Sequence, residues 1–223
     1  MNRLEGILTE IAAVAADAGR EPNEVTLLAV SKSQSIEKMK ELYAMGARMF
    51  GESKVQEALP KMDELSSCGP ACFHFIGRLQ SNKAKQVVGH FELIHSVDRL
   101  ELAQALDKEA GKKGIVQDIL IQVSLAGEEQ KGGATEADLD GLFTAVSGMK
   151  NLRLKGFMTV PPYEENPEIN RKYFSKMKVL FDKYKKISEN ITVLSMGMSD
   201  DFRVAIQEGS TMVRIGTALF GNR

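Results

Sequence analysis

The sequence predicts an α/β fold: a closed (β/α)8 barrel of the TIM type, with an extra helix at its N-terminal end. Three observations carry that reading. Eight short apolar runs alternate with helix-patterned segments along the 223 residues. No hairpin signal such as Asn-Gly joins neighbouring runs, so the strands are parallel. Eight parallel strands favour closure over an open doubly wound sheet, which is the alternative.

Leu4, Ile7, Leu8, Ile11, Val14 and Ala15 recur at helical spacing in the first segment, and Glu5 and Glu10 stand where a secretory leader would be apolar. The spacing predicts a retained amphipathic helix that covers the barrel seam or floor. Strand one is VTLLAVSK, Val25 to Lys32. Ser35 opens a helix with Ile36, Met39 and Tyr43 on one face, ended by Gly46. Strand two is Ala47 to Ser53, and Ser53 with Gln56 has capping-box spacing for the next helix, whose stripe is Val55, Ala58, Leu59, Met62 and Leu65.

Phe73 to Arg78 form strand three, followed by a short helix in LQSNKAKQVV that stops at Gly89. FELIHSV is strand four, and Asp98 and Glu101 bracket the following helix start. Asp118 to Ser124 form strand five. A Gly-rich loop then leads to a helix capped by Thr135 and Asp138. Strand six, LRLKGFMTV, is stopped by Pro161 and Pro162 before the longest helix, with Phe174, Met177, Phe181 and Tyr184. Thr192 to Ser199 form strand seven, with DDFRVAIQE as its helix, and TMVRIGTALFG is strand eight, after which no eighth barrel helix is expected.

Residues 1–223 read as one domain. Twenty-nine Lys and Arg against 30 Asp and Glu leave no field to attract nucleic acid or an anionic membrane surface. No window approaches the roughly 18 uninterrupted apolar residues of a membrane span. Cys68 and Cys72 bracket a Gly-Pro pair, and the three histidines are scattered, so a zinc site is not expected; free thiols in a reducing cytoplasm are.

Chemistry in such barrels sits where strands hand over to helices. Lys32 ends strand one, where it can serve as an imine-forming amine, neutralise a phosphate or simply reach water. Arg214 lies inside the most apolar strand, where an unpaired guanidinium is costly, so it demands either an internal ion pair with Asp200, Asp201 or Glu52, or an electron-rich ligand. Gly216, Thr217 and Ser199 fall in the turns after strands eight and seven, where phosphates are held in this architecture, although Ser199 also suits an N-cap. Arg78, Gln80 and Asn82 can reach the same mouth or stand in solvent, and Lys131 lies in a flexible loop. These residues suit a phosphorylated carbonyl compound, and pyridoxal phosphate and a sugar phosphate in a Schiff-base aldolase both remain open.

The segments LLAVSK, FGESKVQEA, HFIGRLQSNK, IHSVD, GEEQKGG, LSMGMSDDFRVAI and GSTMVRIGTALFG resemble those of the YggS/PROSC family of pyridoxal-phosphate homeostasis proteins. The resemblance implies a barrel similar to the N-terminal domain of alanine racemase, the type III fold of pyridoxal-phosphate proteins. It implies that Lys32 holds pyridoxal 5′-phosphate as a Schiff base, that Ser199, Gly216 and Thr217 bind its phosphate, and that Arg214 faces its pyridine nitrogen. A guanidinium there leaves that nitrogen unprotonated and the ring a weaker electron sink. The sequence departs from the family pattern at Ser53 and Ser124, where many members carry Asn, and at Gln34, where a second lysine is common; Lys131 matches another family lysine. The implied role is storage, buffering or delivery of the cofactor to pyridoxal-phosphate-dependent apoenzymes, by a cytoplasmic monomer, with a dimer as the alternative. No catalytic residues are assigned: racemases of this type add a second domain with a tyrosine acid, for which the chain has no room, and without it turnover should be poor. A racemase-like enzyme is the alternative function.

Overall fold

A computed structural model describes residues 2–127 and 132–221. Eight strands follow one another around a closed barrel in sequence order, every neighbouring pair parallel. They are β1 (Thr26–Val30), β2 (Met49–Glu52), β3 (Cys72–Phe75), β4 (Leu93–Val97), β5 (Gln117–Val123), β6 (Leu152–Thr159), β7 (Val193–Ser195) and β8 (Met212–Ile215). Closure comes from β1 pairing with β8, Leu28 opposite Arg214.

The helices are α1 (Arg3–Asp17), α2 (Ile36–Ala44), α3 (Val55–Ser66), α4 (Ala84–Val87), α5 (Leu100–Lys113), α6 (Glu136–Ser147), α7 (Arg171–Lys185), α8 (Phe202–Gln207) and α9 (Thr217–Phe220). Period-2 burial on the strands sorts side chains between two cores. On β5, Ile119 and Ile121 join the large cluster under the helices, whereas Leu120 joins Leu93 and Met158 in a small separate one. The small cluster belongs to the lumen.

Local chemistry explains most helix ends. Asn2 caps α1 in a reciprocal box with Glu5, Ser35 caps α2, and Thr135 caps α6. α1 buries Leu4, Ile11 and Ala15 and packs against α8 and α9, beside the β8–β1 closure. This is the covering role expected of it.

Two local expectations are corrected. The eighth barrel helix exists as the single turn α9, too short to show a period in sequence. Ser53 does not cap α3: the cap position is Lys54, without a side-chain bond, because the chain must first bring the Ser53 carbonyl against Gly77. A Cβ on Gly77 would lie 2.1 Å from that oxygen, so only glycine permits the approach. Asp98 and Glu101 bracket the start of α5 as expected, with Arg99 at the cap position and paired with the Asp98 carboxylate. The short helix expected after β3 is present, beginning as a 3-10 turn at Ser81–Lys83 and continuing as the single turn α4 before Gly89.

Candidate functional site

A cavity of about 300 Å³ opens where the strands hand over to the helices. Lys32, Ser199, Arg214, Gly216 and Thr217 all line it, so five residues spread over 186 positions of sequence meet in one place. Met158, Met198, Val30, Val160 and Ile76 supply its apolar wall, and Gln34 and Asp200 complete it. Two cations against one carboxylate leave the wall positive, which suits an anionic ligand.

Lys32 is half-buried and stands two residues past Val30, where β1 ends. Arg214 comes from β8, the strand paired to β1, and only 4% of its surface is exposed. The anticipated ion pair with Asp200, Asp201 or Glu52 does not form. Instead its Nη1 donates to Ser195 Oγ at 2.8 Å and its Nη2 to the Thr159 carbonyl at 2.9 Å. Asp201 is engaged by Asn170 Nδ2 and the Met198 amide, and Glu52 by Lys61. Burial pulls the Arg214 pKa down to about 10, against the distant pull of Asp201, so the group stays charged at neutral pH while its contacts are neutral acceptors.

Behind Arg214 runs a polar line that sequence reading missed. Ser195 Oγ lies 3.2 Å from His95 Nδ1, and His95 Nε2 lies 3.0 Å from His74 Nδ1. His95 on β4 and Ser195 on β7 are not strand neighbours, so this line crosses the lumen. Its direction follows from the guanidinium, which can only donate. Ser195 accepts from Arg214 and passes its own proton toward His95 Nδ1; the His95 proton is then on Nε2, donated to His74. Both rings are thereby assigned as neutral. Burial depresses the His74 pKa to about 4, opposed by Glu92, and holds His95 well below the usual range, reinforced by His74 and Arg214. Two histidines inside apolar strand runs were the available signal, because a buried titratable group needs a partner.

Ser199 is also placed differently from expectation. Asp201, not Ser199, occupies the cap position of α8, and Ser199 Oγ reaches to the turn after β8, accepting from the Gly216 amide at 3.3 Å and the Ala218 amide at 3.5 Å. Convergent amides and a hydroxyl are the arrangement that receives an oxyanion. Arg78, Gln80 and Asn82 do not line the cavity, and Arg78 is exposed. The second-lysine position, Gln34, accepts from Lys38 Nζ at 3.2 Å. Lys131 lies outside the described residues. Among the described residues no group of three or more His, Cys, Asp or Glu side chains could hold a metal, and no helix is long and apolar enough to cross a membrane.

Residues 7–223 match the family model described as alanine racemase, N-terminal domain. The chain is 46% identical to the pyridoxal phosphate homeostasis protein of Aquifex aeolicus, over 99% of this chain and 97% of that one. It is 40% identical to the protein of the same name from Escherichia coli K12, covering 100% and 96%. Among solved structures it is similar to PipY of Synechococcus elongatus with pyridoxal phosphate bound, at 36% identity and a TM-score of 0.84, covering 95% of this chain and 100% of that one. Alanine racemase of Corynebacterium glutamicum shares the fold at 17% identity and a TM-score of 0.73; the match covers 99% of this chain and 62% of the racemase. With two-way coverage this complete, the chain belongs to the alanine racemase N-terminal domain family, among its pyridoxal phosphate homeostasis proteins.

Proposed function

We propose that this protein binds pyridoxal 5′-phosphate and serves its homeostasis by storing, buffering or delivering the cofactor, without robust turnover. The observation that carries the reading is Arg214: a buried, charged guanidinium facing the Lys32 cavity, with neutral partners and no ion pair among the described residues. The relatives named for pyridoxal phosphate homeostasis and the cofactor-bound PipY structure support it.

The residues present fit the group. Ser199 with the amides around Gly216 and Thr217 would hold its phosphate, Arg214 would donate to its ring nitrogen, and the Lys32 amine would hold its aldehyde carbon. When bound, the group supplies an electrophilic carbonyl joined to an electron-withdrawing ring. Arg214 would donate to the ring nitrogen without surrendering a proton, which would limit how far that ring can withdraw electrons. Lys32 would hold the carbonyl carbon, and the apolar wall would exclude water from one face. We take residues 1–223 as one binding domain that acts as a monomer in the cytoplasm. Pyridoxal-phosphate-dependent apoenzymes are the recipients in this scheme.

Reconstitution with pyridoxal phosphate should give a visible absorption band, absent in Lys32→Ala, and mass spectrometry after borohydride reduction should place the adduct on Lys32. A wild-type protein with no band in excess cofactor would sink the reading.

A racemase-like activity is favoured by one observation, the Asp200 carboxylate on the same wall as Lys32. It requires a second acid/base group, and Asp200 is solvent-exposed, whereas no tyrosine or histidine is among the described lining residues. Sustained racemisation of an amino-acid panel, abolished in both Lys32→Ala and Asp200→Asn, would promote this reading over the first.

A further inference from the structure

Lys32 stands between two peptide groups, and each is held by a charged side chain. Lys61 Nζ donates to the Ser31 carbonyl at 2.9 Å, on the N-terminal side of Lys32. Glu57 Oε1 accepts from the Ser33 amide at 2.5 Å, on the C-terminal side. Lys61 also binds Glu52 Oε1 at 2.9 Å and Glu57 Oε1 at 2.5 Å, and Ser31 Oγ donates to Glu52 Oε1 at 2.7 Å. Glu57 and Lys61 are one turn apart on α3, so a single helix grips both sides of the lysine.

Two further observations set this cluster apart from ordinary surface ion pairing. Glu52 is fully buried and Lys61 is 8% exposed, so both ions have given up hydration; pairs of this kind are often no more stabilising than apolar side chains of the same volume. Ser33, moreover, has φ +61°, the one left-handed non-glycine backbone among the described residues, and it immediately follows Lys32. A strained turn persists where its surroundings over-determine it. Fold stability alone explains neither feature well, whereas fixing the lysine backbone explains both.

We propose that Glu57, Lys61 and Glu52 are positioning residues for Lys32, clamping the turn so that its amine meets the carbonyl of the ligand held by Ser199 and Arg214. The clamp rests on the function proposed above. Its test separates the two. Pyridoxal 5′-phosphate has an aldehyde that Lys32 can capture, while pyridoxine 5′-phosphate has the same ring and phosphate with an alcohol in its place.

In Glu57→Ala the Kd for pyridoxal phosphate should rise about tenfold or more, the scale of one lost charge-assisted hydrogen bond, while the Kd for pyridoxine phosphate stays within about twofold. Glu57→Gln keeps an acceptor for the Ser33 amide and should restore most of the pyridoxal phosphate affinity. Equal weakening of both ligands, or of neither, overturns the clamp. Site-resolved hydrogen exchange at Ser33 is the second readout and needs no ligand: it should quicken about tenfold or more in Glu57→Ala with core amides unchanged, and an unchanged Ser33 rate overturns the clamp as well. A wild type that captures no pyridoxal phosphate removes the function while leaving the exchange measurement to decide on the clamp.

Discussion

Arg214 shows how a single residue can be held against its own energetic preference. Its charge has no carboxylate within bonding reach among the described residues, and burial has lowered its pKa to about 10, so the fold itself carries the cost of an ion held by neutral partners. Arg214→Met removes that cost but leaves the Thr159 carbonyl without its donor, a penalty of about 1–3 kcal/mol. The two effects oppose each other, and the unfolding free energy of the ligand-free variant from urea titration should therefore lie within about 1–2 kcal/mol of wild type. Its Kd for pyridoxal phosphate should rise tenfold or more, measured by titration of the visible band. Position in the last apolar run made Arg214 legible in the sequence. Its partners were not, because Ser195 and Thr159 come from two other strands whose lumen-facing registers the local pattern does not specify.

At the scale of elements, the turn from β7 into α8 brings Ser199 toward the turn after β8. Gly197 makes this turn possible: its φ is +94°, and a Cβ there would fall 2.6 Å from Ala205 Cβ and 3.0 Å from Phe202 Cα. Gly197→Ala should cost roughly 2–4 kcal/mol in urea unfolding, because backbone strain and a clash with α8 act together, and should also weaken inorganic phosphate binding. The alternation of strands and helices was legible because apolar period changes at each boundary. Caps were less so. Thr135 and Ser35 cap as their spacing suggests, yet Ser53 and Ser199 are drawn away by contacts with residues distant in sequence, Gly77 in one case and Gly216 in the other. Lys61 left a faint trace: it shares the buried face of α3 with Ala58 and Leu65, where a lysine calls for a partner.

For the whole molecule, the lumen sets an acid limit. The unfolded chain protonates its histidines near the usual 6.5, whereas folded His74 resists until about pH 4, chiefly because it is buried. Stability from this group is therefore complete above pH 6.5 and is lost as pH falls toward 4, by roughly 3 kcal/mol over the window. Urea midpoints at pH 7 and pH 4.5 should show this fall, and His74→Leu should flatten the slope even where it lowers both midpoints.

Barrel closure has one further consequence. Lys32 follows the first strand and Arg214 lies in the last, with β1 and β8 joined edge to edge. The cavity therefore lacks Arg214, Gly216 and Thr217 until β8 closes on β1. The pocket is thus a record of finished folding, and a ligand that bridges both strands fastens the ring at its most non-local joint.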